Sequence, residues 1–140
     1  MAESTQHLAL VQIIIDHVRH EYAGVAALRI FHDLPGPLKA EKPDRIAGFV
    51  PDVYAFDAPL TVRIIGEAKT QADLETAHSQ EQIAAFLTFL GQQEHGVFVL
   101  AVPWAAKRLA HVLVETKRAA VGAQSVRTTI LDDLTLRREC

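Results

Sequence analysis

One stretch limits what this chain can become: Thr61-Val62-Arg63-Ile64-Ile65-Gly66-Glu67-Ala68-Lys69. Its β-branched, mostly apolar composition predicts a strand over residues 61–69. Consecutive Ile64 and Ile65 predict burial on both faces, so charges at its end need a partner or a task. Side chains alternate along a strand, which puts Glu67 and Lys69 on one face and Ala68 on the other. Upstream, Phe49-Val50-Pro51-Asp52-Val53-Tyr54 lies in a second extended run, predicted over residues 45–56. The turn through Asp57-Ala58-Pro59 is short enough to make the two runs antiparallel neighbours and to set Asp52 opposite Glu67.

Two carboxylates and an ammonium then converge at one strand end. That set suits a hard divalent cation, Mg²⁺ or Mn²⁺, with the lysine beside it. The plainer reading is a hairpin whose Glu67 and Lys69 are solvated and pair across the surface. Burial of the strand on both faces argues against that reading.

With Pro51-Asp52 and Glu67-Ala68-Lys69 as two halves separated by one hairpin, the chain resembles the PD-(D/E)XK nuclease superfamily. The resemblance implies a restriction-endonuclease-like α/β fold, a central mixed β-sheet flanked by helices in the order α-β-β-β-α-β-α-β. It implies that Asp52 and Glu67 bind Mg²⁺ or Mn²⁺, helped by the backbone carbonyl of Ala68. Lys69 would either deprotonate the attacking water or stabilise charge on the phosphate. Many members carry a metal-site glutamate on the first helix, and Glu21 is the better placed candidate here, Asp16 lying nearly opposite the apolar stripe. A boundary glutamate that reaches water is the competing reading of Glu21. In RecB-like and Holliday-junction-resolvase-like branches a glutamine follows on the next helix, often with an aromatic four residues on. Gln82 followed by Phe86 resembles that arrangement without the usual tyrosine hydroxyl, and Gln80 is the competing register.

The remaining elements follow from periodicity and punctuation. A first helix is predicted over residues 7–22, with Ser4 or Thr5 as N-cap and Leu8, Val11, Ile15, Val18 and Tyr22 as its buried stripe. His17, His20 and Glu21 share a helix face, but no signature supplies further zinc ligands. Residues 25–31 read as a strand that ends at the turn-rich His32-Asp33-Leu34-Pro35-Gly36-Pro37. Residues 38–44, with Lys39, Lys42 and Pro43, read as an exposed loop, either a phosphate-touching cover for the site or a plain linker. A second helix is predicted over 73–90, a buried strand over 96–102, a third helix over 104–121 and a last strand over 125–131. Residues 132–140 form a charged tail to a single domain spanning 1–140.

Composition sets the boundary conditions. No run of the 140 residues is long and apolar enough to span a bilayer, and no basic-then-apolar leader opens the chain. Cys140 is the sole cysteine, so no disulfide forms within one chain, in keeping with a reducing cytoplasm. A net charge of −3 disfavours avid, sequence-blind binding to nucleic acid. Residues 104–127 nevertheless carry Lys107, Arg108, Lys117, Arg118 and Arg127 against only Glu115. The expectation is a metal-dependent, structure-selective DNA endonuclease, paired as a homodimer because one small domain offers one catalytic centre. The alternative is a catalytically silent nuclease fold that serves as an interaction module or as a subunit of a larger DNA-processing complex.

Overall fold

The computed structural model describes residues 4–35 and 42–134, which form an α/β domain around one five-stranded mixed sheet. Helix α1 (Thr5–Glu21) opens it, its first turn closed by Ser4, whose hydroxyl accepts the His7 N–H at 3.0 Å. Strands β1 (Arg29–His32), β2 (Val53–Phe56) and β3 (Val62–Ala68) form an antiparallel meander. A single helical turn, α2 (Gln71–Leu74), and helix α3 (Ala77–Gly91) then lead to β4 (His95–Val102), parallel to β3. A 3₁₀ turn (Trp104–Ala106) and helix α4 (Lys107–Ala120) lead to β5 (Arg127–Asp132), parallel to β4. Spatial order therefore equals chain order, β1-β2-β3-β4-β5.

Each face of the sheet has its own apolar core. On one side α1 lies across β2 to β5, its Leu10, Ile14 and Val18 over Val53, Ile64, Val97 and Val99. On the other, Ile83, Phe86 and Leu90 of α3 and Ala110 and Val114 of α4 cover Tyr54, Ile65, Phe98 and Leu100. The central strands β3 and β4 are thus buried on both faces, as their unbroken apolar runs require. Gly66 lets α1 come close: a Cβ there would stand 2.5 Å from Ile14 Cγ2. The helix buries more of its circumference than the predicted stripe. Leu10, Ile13 and Ile14 join Val11, Ile15 and Val18, while Leu8 and Tyr22 are only half-buried. A helix lying flat across several strands covers a wider arc than one packed on a single neighbour.

Several boundaries differ from expectation for local reasons. The helix predicted over 73–90 is two pieces, because Thr70 and Thr76 each cap a new start; Asp73 completes the capping box of α2 instead of opening a long helix. The extended run over 45–56 is a strand only from Val53. Before it, Ile46 and Phe49 bridge a tight turn in which Ala47 and Gly48 take positive φ of 54° and 88°. The first strand starts at Arg29, since residues 22–27 turn after α1, with Ala27 at φ 58°. The helix predicted from Trp104 begins as a 3₁₀ turn and becomes α-helical at Lys107, and the last strand runs from Arg127 to Asp132. Most of the predicted 38–44 loop, including Lys39, and residues 135–140 of the predicted tail lie outside the described residues. Among the described residues no helix is long and apolar enough to cross a membrane.

Candidate functional site

Regular pairing of β2 with β3 ends at Val53 opposite Gly66, so Asp52 arrives opposite Glu67 by register. Beyond that point side chains replace the backbone ladder. The Asp52 N–H donates to Glu67 Oε1 at 2.9 Å, and the Ala68 N–H donates to Asp52 Oδ2 at 2.9 Å. Each carboxylate therefore completes the hydrogen bonding of the opposite strand, which fixes both acids without recourse to rotamer freedom.

Lys69 continues β3 by one residue, its N–H donating to the Ala101 carbonyl at 3.0 Å. Alternation brings its side chain back beside Glu67, with Nζ 3.5 Å from Glu67 Oε2. The same ammonium donates to Gln82 Oε1 at 2.5 Å, so α3 positions it through one buried amide. Gln80 is turned elsewhere, its Nε2 donating to the Leu74 carbonyl at 3.4 Å, so Gln82 is the one of the two that meets Lys69. Phe86 is wholly buried in the core.

The electrostatics of the site centre on Glu67, whose residue is only 1 % exposed. Burial pushes its carboxyl well above the usual carboxylate range, and the Asp52 charge pushes the same way. Lys69 opposes both without reversing the sum. A divalent cation held there would displace that proton to solvent, its charge replacing the solvation that burial removes from the carboxylate. Ala68 presents its backbone toward the Asp52 side, as its N–H bond shows, and its carbonyl lies along the same edge. Two carboxylates and a carbonyl are hard oxygen donors suited to Mg²⁺ or Mn²⁺. Among the described residues no group of three or more His, Cys, Asp and Glu side chains stands ready to hold a metal. The fit therefore depends on the Ala68 carbonyl, with water and substrate oxygens completing the shell, the usual manner of Mg²⁺.

Asp52, Glu67, Ala68, Lys69 and Gln82 are thus brought together, while Glu21 is not. Glu21 is the exposed last residue of α1, whereas the start of that helix meets the site. At about 1.5 Å of rise per residue, roughly 20 Å of helix separates it from the turn that carries His7. Helical periodicity puts Glu21 nearer the apolar stripe than Asp16 but carries no information about which end of the helix approaches the sheet's acids.

The residue that does come from α1 is His7, its Nε2 3.4 Å from Asp52 Oδ1, with both side chains more than four-fifths shielded from solvent. Sequence reading missed it among the seven histidines. The one available signal was its place in the first turn of an amphipathic helix, which says nothing about what faces it. Compared with protein-family models, curated proteins and solved structures, the chain matches none.

Proposed function

We propose that this chain is a divalent-metal-dependent deoxyribonuclease of restriction-endonuclease-like fold, with its site at the end of β3. One observation carries the reading: two carboxylates and a lysine meet at a buried strand end where Glu67 is costly to keep. A buried acid with a strongly displaced proton affinity, beside a positioned ammonium, is more readily explained by chemistry than by folding. The mixed five-stranded sheet, helix-covered on both faces, supports the fold assignment.

In this reading Asp52, Glu67 and the Ala68 carbonyl hold Mg²⁺ or Mn²⁺. Once bound, the cation supplies Lewis acidity toward a phosphoryl oxygen and toward water. Gln82 and Glu67 hold Lys69 over the same point, where it either accepts a proton from the attacking water or offsets charge gathering on the phosphate. His7 steadies the second oxygen of Asp52. One centre per chain suits single cuts, and a two-fold homodimer would serve paired cuts on duplex or branched DNA in the cytoplasm.

A second reading has its own support. Asp52, Glu67, Lys69 and Gln82 satisfy one another without any ligand, as they would in a silent fold serving as an interaction module or as a subunit of a larger DNA-processing complex. The two readings part on metal binding and cleavage. The nuclease reading expects calorimetric Mn²⁺ binding that Asp52→Asn removes, and Mn²⁺-dependent cutting in a screen of single-stranded, duplex, flap and four-way-junction DNA. No Mn²⁺ uptake up to about millimolar, beyond the range of a functional site, leaves the module.

A further inference from the structure

Trp104 is the chain's only tryptophan, and it is 60 % exposed. Large aromatic side chains bury well, so an indole left in solvent calls for an explanation. Its position supplies one. Trp104 lies two residues beyond the end of β4, whose Ala101 pairs with Ala68 and accepts the Lys69 N–H. It therefore stands at the same end of the parallel strands as Asp52, Glu67 and Lys69. One interstrand spacing and about two residues of rise put it on the order of 10 Å from Lys69.

The backbone that carries the indole is anchored: Pro103 precedes Trp104, the 3₁₀ turn begins at it, and its backbone N–H donates to Asp133 Oδ1 at 3.0 Å. Asp133 in turn lines a groove of about 610 Å³ with Thr5, Gln6 and Leu10 of α1, the helix whose His7 touches Asp52. Three residues on, Lys107 neutralises Asp132 across 2.9 Å, and exposed Arg108 follows it in the first turn of α4.

We propose that Trp104 is a stacking platform for an unpaired nucleobase, so that the site takes single-stranded or frayed nucleic acid in preference to intact duplex. An exposed indole on an anchored backbone, at the same sheet end as the proposed phosphodiester site and closely followed by Arg108, has the make-up of single-strand binding surfaces, where bases stack on aromatic faces and cations follow the backbone. In a continuous duplex every base is already stacked and the indole has nothing to receive. This inference deepens the nuclease reading and takes the identity of its ligand from it.

The lone tryptophan is its own probe. In Ca²⁺ buffer at low salt, an oligothymidylate of about 12 nucleotides, within single-strand site sizes, should quench Trp104 fluorescence saturably, and a blunt duplex of equal length should do so far less. By anisotropy of a labelled strand, Trp104→Ala should bind about 10- to 100-fold more weakly, as expected for losing one base stack, and Trp104→Phe within a few-fold of wild type. Mn²⁺ affinity and melting temperature should be unmoved in both. Unquenched fluorescence at saturation, or wild-type affinity in the alanine variant, overturns the proposal. So does a change of oligomeric state in that variant, which would assign the indole to a protein interface. The two readings also fail separately. Quenching with no Mn²⁺-dependent cleavage retires the nuclease and keeps the stacking, whereas cleavage with an unchanged KM in Trp104→Ala retires only the stacking.

Discussion

Asp52 and Glu67 hold each other in place across the end of the β2–β3 hairpin. The Asp52 N–H donates to Glu67 Oε1 at 2.9 Å, and the Asp52 carboxylate takes the N–H of Ala68, next to Glu67, at the same distance. The two acids are therefore part of the hairpin's own hydrogen bonding as well as the proposed donor set for a cation. Changes at either must be chosen to spare the first role while removing the second.

Asp52→Asn and Glu67→Gln meet that condition, because each amide retains an acceptor oxygen for the N–H it serves. Both should lose cleavage by at least about two orders of magnitude and weaken Mn²⁺ uptake, with melting temperatures near wild type. Glu21→Gln, at the far end of α1, should leave both quantities unchanged. Titration calorimetry with cleavage assays tests this set, and full activity in either amide variant would remove the site assignment.

Lys69 and Gln82 should separate by magnitude. Lys69→Ala is expected to keep metal affinity within a few-fold and to lower the rate at saturating metal by about two orders of magnitude, the size of a lost base or charge stabiliser. Gln82→Ala should cost less, about tenfold, because it acts only by positioning Lys69. Lys69→Arg keeps the charge without a usable base, so substantial activity there would point to electrostatics. Single-turnover rates at saturating Mn²⁺ make the comparison.

Gly66→Ala tests the approach of α1 to β3. The new Cβ would meet Ile14 at 2.5 Å, and either the isoleucine or the helix must give way. Overpacking of this kind costs about 1–3 kcal/mol, readable as a lower urea midpoint with unchanged slope. Ile14→Ala removes that Cγ2 atom, so Gly66→Ala should cost less in an Ile14→Ala background than in wild type if the clash is its cause.

Asp57 should contribute a pH dependence of its own. The Thr61 hydroxyl and the Thr61 and Val62 N–H groups hold its carboxylate below the usual range. A depressed folded-state affinity gives stability that is present above the unfolded value, near pH 4, and is lost as pH falls through the lower folded value. Melting temperature should thus decline more steeply in acid for wild type than for Asp57→Asn. Parallel acid limbs for the two proteins would show that the turn contributes nothing.

Much of this was legible in the chain. Ile64-Ile65 and the run over 96–102 announce strands buried on two faces, and the short turn after Phe56 dictates the hairpin. Period-two alternation then puts Glu67 and Lys69 together, and hairpin register puts Asp52 beside them. These relations are local, spanning one hairpin, so sequence determines them directly. What needed the tertiary structure was every partner brought from a distance. Gln82 rather than Gln80 reaches Lys69 because the α3 cap at Thr76 sets the phase of that helix. His7 rather than Glu21 faces the acids because packing of α1 on the sheet decides which end lies over them. Trp104 stands beside the same site because β4 runs parallel to β3, which ends both strands on one side. Helical periodicity specifies which face a helix buries, whereas the direction and axial position in which it docks are decided by the shapes of the two packed surfaces.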